Sequence, residues 1–120
     1  MVNILISGYY GFDNIGDESI LRTLVSSLRE HIPDCSLTVL SHNPASTREK
    51  YGVEAVDRMS PMAILRAVKK CDMLISGGGS LIQDVTSTKS LYYYLYIIRL
   101  AKRCGAKVML FTSDGDDNSM

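Results

Sequence analysis

Two glycine clusters are the features of this 120-residue chain whose residue types and spacing bear on chemistry. The first is Gly8-Tyr9-Tyr10-Gly11, closed by Gly16; the second is Gly77-Gly78-Gly79-Ser80. Each follows a short apolar run, so each is a loop leaving the end of a strand. Glycine lets the backbone come close to a ligand, and consecutive free N–H groups form a nest for an anion. A simple turn rarely needs three glycines in a row. Gln83, Asp84, Thr86, Ser87 and Ser90 follow the triple glycine as hydrogen-bonding groups suited to a sugar or a phosphate. Thr86, Ser87 and Thr88 also compete to cap the next helix. The first cluster offers Tyr10, Asn14 and Asp17 to ligand hydroxyls. Its plainer reading is that the glycines only make the turn and Asp17 only caps or opens a helix.

Neither cluster fits a nucleotide fingerprint. Gly8 to Gly11 is not GxGxxG. Gly11 to Gly16 matches the opening of a P-loop, but Asp17-Glu18 stand where phosphate binding needs Lys and Ser/Thr. Two carboxylates at that helix start repel a polyphosphate, which excludes an NTPase. His31 and His42 are isolated, His31 near a helix C-terminus. No Ser-His-Asp set, metal cluster or paired-carboxylate arrangement is present. Tyr92, Tyr93, Tyr94 and Tyr96 cannot all face a core, so one or two are free to stack on a sugar or touch a partner.

The elements that must position these loops alternate. Val2 to Ser7 reads as a buried strand, and Ile20, Leu21, Leu24, Val25 and Leu28 as one stripe of a helix. A strand from about Ser36 to Ser41 precedes a short polar helix opened by Asn43-Pro44 and ended near Gly52. A weak strand spans Glu54 to Val56. Ser60-Pro61 starts a helix with Met62, Ile64, Leu65 and Val68 on its apolar face. Asp72 to Ser76 is a strand, roughly Thr88 to Arg103 a long helix closed by Cys104-Gly105, and Lys107 to Thr112 the last strand. No internal repeat and no hairpin signal appear. The class is α/β: a Rossmann-like parallel sheet with helices on both faces. In the common 3-2-1-4 order the strands ending at Gly8 and Gly77 are neighbours, and both loops frame one crevice at the C-terminal edge.

Composition agrees. Apolar residues make up 46% and charged residues 22%, and thirteen basic residues balance thirteen acidic ones, which excludes a nucleic-acid footprint. Asp114, Asp116 and Asp117 lie near the end, so residues 1–112 carry 13 basic against 10 acidic, a net of +3. That excess tolerates an anionic substrate without demanding one. The last residues, 113–120, read as an acidic, disordered tail on a single domain of residues 1–112. Cys35, Cys71 and Cys104 read as three buried thiols in a reducing compartment. No signal peptide or transmembrane segment is visible, and the expected location is cytoplasmic, with room to work at the inner face of a membrane.

Gly8-Tyr9-Tyr10-Gly11-Phe12-Asp13-Asn14-Ile15-Gly16-Asp17-Glu18, with Ile20-Leu21, resembles the opening motif of the polysaccharide pyruvyl transferases. The block from Gly77 to Ser87, with Ser90-Leu91 and Tyr93-Tyr94, resembles that family's glycine-rich motif. The resemblance covers residues 2–111 and is strongest to the bacterial, surface-layer-anchoring type. The resemblance implies the N-terminal half of a GT-B-like, two-domain transferase. It implies no cofactor, with phosphoenolpyruvate as the donor substrate and a cell-wall glycan or lipid-linked sugar as the acceptor. The enolpyruvyl group would become a ketal on an N-acetylmannosamine residue. It assigns Gly8, Tyr10, Asn14, Asp17, Gly77, Gly78, Gly79, Ser80, Gln83, Asp84 and Ser87 to the acceptor side of the cleft. Catalytic and donor-binding residues are expected in a C-terminal half, so this chain alone is expected to be inactive. A standalone sugar- or nucleotide-binding module, a half-enzyme completed by a separate chain and a homo-oligomer stay open. Asp13 departs from the family, which usually has a small residue there, often glycine.

Overall fold

The computed structural model describes residues 1–13, 15–77 and 88–111. Among them the elements are β1 (Val2–Tyr10), α1 (Ile15–His31), β2 (Cys35–Ser41), α2 (Pro44–Tyr51), β3 (Glu54–Asp57), α3 (Pro61–Lys70), β4 (Met73–Gly77), α4 (Thr88–Arg103) and β5 (Lys107–Phe111). The sheet is wholly parallel, in the order β3-β2-β1-β4-β5. The fold is therefore the Rossmann-like α/β arrangement that the alternation of elements implies, with β1 and β4 side by side at its centre.

A parallel sheet covered on both faces needs strands that are apolar in both directions. Ile4, Leu5 and Ile6 meet that need: Ile4 and Ile6 join a core with Leu21, Leu24 and Val25 of α1 and Tyr51 of α2. Leu5 joins a second core with Leu40, Leu74, Ile64 and Val68 of α3, and Ile97 and Ala101 of α4. The helices thus form a layer on each face. Asp17 and Glu18 in the first turn of α1, and Arg29 and His31 in its last, complement the helix dipole. The Asn43 side chain accepts from the Ser46 N–H at 3.3 Å to cap α2, and Ser60 does the same for α3 through Ala63. Gly52 ends α2 at φ +64, the left-handed conformation that closes helices without a Cβ clash.

Several strand boundaries shift by one residue, β4 running Met73–Gly77 and not Asp72–Ser76, and the larger difference is at the site. β1 runs to Tyr10, three residues past Ser7, because the strand bulges. From Ile6 to Tyr10 it takes four steps while β2 takes two, from Val39 to Ser41. α1 begins at Ile15, so of the two positions the sequence offered for Asp17, helix cap or first turn, it takes the first turn. The expected three buried thiols are also corrected: Cys35 and Cys71 are half-buried and Cys104 is exposed, all three unpaired. Cys104 follows the last turn of α4, off the apolar stripe that ends at Ala101.

Candidate functional site

The two glycine clusters meet where β1 and β4 end. Leu5, Ile6 and Ser7 pair in register with Leu74, Ile75 and Ser76. A Cβ built at Gly8 would lie 2.7 Å from the Gly77 carbonyl oxygen and 2.6 Å from Cζ of Tyr10. Position 8 therefore has no room for a side chain, and the close approach of the strand ends is the reason. The shared edge expected from the sequence is present as far as Gly77. Asn14, Gly78, Gly79, Ser80, Gln83, Asp84 and Ser87 lie outside the described residues.

Gly11 turns the chain at φ +88, pressed against the end of β2, where a Cβ would lie 2.6 Å from the Asn43 nitrogen. The Gly11 N–H donates to Glu18 Oε2 at 3.0 Å, and the Tyr51 hydroxyl donates to Glu18 Oε1 at 2.6 Å. Glu18 thus clamps the first loop to the end of α2. Burial and this hydrogen bond push the Tyr51 phenol up to about 12. Asp13, the departure from the family pattern, stands at φ +60 and pairs with Lys50 at 3.6 Å. Asp tolerates the left-handed region better than most residues, which explains how it stands where a glycine would be free of strain.

Tyr10 is fully buried in the core beside Leu21, and it is Tyr9 that reaches the surface. Burial, then the charge of Asp17, pushes the Tyr10 phenol far above its ordinary value. Asp17 is itself 5% exposed in the first turn of α1. Of the four tyrosines on α4, Tyr94 is buried, Tyr93 half-buried, and Tyr92 and Tyr96 exposed.

The centre of the edge is a residue that sequence reasoning passed over. Arg58 follows β3 and is only 8% exposed. Its guanidinium carbon lies 4.4 Å from the ring centroid of Tyr93, 5.3 Å from Phe12, 5.7 Å from Tyr9 and 5.9 Å from Tyr94. Its Nη2 donates to the Tyr94 hydroxyl at 3.1 Å, and its carbonyl accepts from the Tyr93 hydroxyl at 2.6 Å. Its backbone N–H donates to the Ser41 carbonyl at 3.0 Å. Tyr9 and Phe12 stack at 4.0 Å, and Phe12 and His42 at 4.3 Å. Arg58 therefore joins the first loop, the end of β2 and α4 into one structure. Only a β-turn position after a weak strand marked it in the sequence.

Four buried polar atoms of the described residues have no hydrogen-bond partner: Ser7 Oγ, Ser76 Oγ, Tyr10 Oη and Arg58 Nε. All belong to strand ends on this edge. Native interiors leave few such groups, and each calls for a reason. Ser7 and Ser76 had a signal that was missed: β1 and β4 both contain Leu-Ile-Ser-Gly, residues 5–8 and 74–77, a short repeat whose first three residues pair in register. Among the described residues no three of His, Cys, Asp and Glu converge as a metal site. The described residues of this edge offer donors, hydroxyls and aromatic faces suited to a polar ligand.

The fold and this edge define an α/β protein whose parallel sheet reverses its strand order between β1 and β4, the topological switch point at which open sheets of this kind commonly bind ligands. The family model for polysaccharide pyruvyl transferase matches residues 14–111. The chain belongs to the polysaccharide pyruvyl transferase family. No match was found among curated proteins or among solved structures. No described helix is long and apolar enough to cross a membrane.

Proposed function

We propose that this chain serves transfer of the enolpyruvyl group of phosphoenolpyruvate to a cell-wall glycan containing N-acetylmannosamine. Two sugar hydroxyls add to C2 of the donor and the C–O bond to phosphate breaks. One hydroxyl proton converts the methylene to a methyl group and the other leaves with inorganic phosphate. In this reading the C-terminal edge holds the acceptor, and most of the donor-binding and catalytic groups come from a further domain. The observation that carries it is the contact between the ends of β1 and β4 within a chain of this family. The glycine approach brings the two strand ends together, and beside them the exposed Tyr9, stacked on Phe12, presents an aromatic surface of the kind on which sugar rings pack.

The test is a coupled assay of phosphate release and ketal formation, using phosphoenolpyruvate and an N-acetylmannosamine-containing acceptor. It uses this chain alone and this chain joined to a C-terminal half from a family member. Ketal on the acceptor, with acceptor KM raised and kcat little changed by Tyr9→Ala, is the expected result for the joined protein. Phosphate release with no sugar product would remove the glycan from the reading.

A further inference from the structure

Neither the ion pair of the N-terminus with Asp34 nor that of Lys50 with Asp13 involves Arg58. The carboxylates of Asp57 and Asp17 act on Tyr93 and Tyr94, the tyrosines that touch its guanidinium, without forming an ion pair with Arg58 among the described residues. A guanidinium has five N–H donors in a rigid fork. Of these, one donates to the Tyr94 hydroxyl, while Nε is buried and unpartnered. The four surrounding rings stabilise the positive charge by their π faces but accept no in-plane hydrogen bond. Removing an arginine from water without a partner for its charge is costly, and proteins keep such a cation where an anion completes it.

The position decides what completes it. The rings come from the end of β1 (Tyr9), the loop after it (Phe12) and α4 (Tyr93, Tyr94), so the guanidinium lies at the C-terminal edge, on the side where β1 and β4 end. Ligands of open parallel sheets bind at that edge. We propose that Arg58 binds an oxyanion of the ligand, carboxylate or phosphate, through Nε and the free donors of its fork. The aromatic cage keeps the fork planar, desolvated and fixed in direction, so that little ordering is needed when the anion arrives. This deepens the transferase reading by giving the described domain a contact to a charged group of the substrates.

The test is made on this chain and needs no glycan and no turnover. The Arg58 Nε–Hε resonance is followed in 15N–1H spectra while inorganic phosphate, sodium pyruvate or sodium chloride is added at constant ionic strength. A saturable shift with phosphate or pyruvate, absent with chloride, is expected. Saturation by phosphate alone assigns the site to a phosphate, and by pyruvate alone to a carboxylate. Arg58→Lys keeps the charge and loses the fork, and is expected to bind about tenfold more weakly. Arg58→Met tests the charge itself, with the Tyr9 and Tyr94 backbone resonances reporting that the edge is intact. An Hε signal that ignores both anions, or that responds equally to chloride, overturns the proposal. That outcome leaves sugar binding at Tyr9 standing, because the acceptor assay does not depend on it.

Discussion

The two ends of the central strands differ in a way that volume does not reveal. Toward the starts of β1 and β2 a cavity of about 540 Å³ opens against α3, lined by Leu5, Ser36, Thr38, Val56, Ala67 and Lys70 among others. At the opposite end the chain is crowded, with glycines at positions where a Cβ would clash. Yet among the described residues all four buried, unpartnered polar atoms lie at the crowded end, and none belongs to a residue lining the cavity. The cavity arises because small and short side chains of α3 and β2 fail to fill the space between them. The crowded edge is built of groups that cost free energy to bury, which a structural role alone does not explain. What sets the edge apart from the cavity is uncompensated polarity and close backbone approach, not space.

The largest break in that comparison is expected at Gly8. Gly8→Val places a side chain against the Gly77 carbonyl and the Tyr10 ring and should cost about 1–3 kcal/mol by urea denaturation. Thr38→Val, in the cavity, should change stability by less than about 0.5 kcal/mol. Equal effects would show that the edge is no more constrained than the cavity wall.

Glu18→Ala comes next. It strips the acceptor from the Gly11 N–H and the Tyr51 hydroxyl and should cost about 1.5–3 kcal/mol. It should also raise the hydrogen-exchange rate of the Gly11 amide above that of Ser36, and an unchanged Gly11 rate would show that the clamp is not needed.

The phenols sharpen the comparison by pH. Tyr51 and Tyr93 have ordinary values of 10 raised to about 12, chiefly by burial. A group whose folded value is raised stabilises the fold fully below its unfolded value and loses that contribution as pH rises through the folded one. Stability should therefore fall between pH 10 and 12. The double variant Tyr51→Phe, Tyr93→Phe should flatten that decline. A decline of the same slope in the double variant would assign it to other groups.

The smallest effect is expected at Asp13. Asp13→Gly relieves a residue at φ +60 and gives up an exposed pair with Lys50, for a net gain below about 1 kcal/mol by thermal unfolding. A loss of stability would show that the Lys50 contact outweighs the backbone strain.

Much of this was legible in the sequence. Continuous apolar runs ending in glycine marked β1 and β4 as buried parallel strands, and Asn43-Pro44 and Ser60-Pro61 marked two helix starts by their caps. The juxtaposition of Gly8 and Gly77 followed from strand order alone. What was not legible depends on tertiary contact. The bulge that carries β1 to Tyr10 has no local signature, because Tyr10 is placed by its pairing with Ser41. The burial of Tyr10 and the exposure of Tyr9 follow from that bulge, and neighbouring tyrosines look alike in sequence. Arg58 was invisible because its partners come from positions 9, 12, 93 and 94, none of them near it in the chain. The missed Leu-Ile-Ser-Gly repeat gains its meaning only when the two copies pair in register.

The central claim is that ligand is held at the C-terminal edge of the sheet. Backbone 15N–1H spectra of this chain, titrated with an N-acetylmannosamine-containing disaccharide, test it most directly. The account predicts saturable shifts confined to Ser7 through Phe12, Ser41 through Asn43, Arg58 and Ser76-Gly77. Shifts confined to Ser36, Thr38, Glu54 and Arg66 around the cavity, or no saturable shift anywhere, would contradict it.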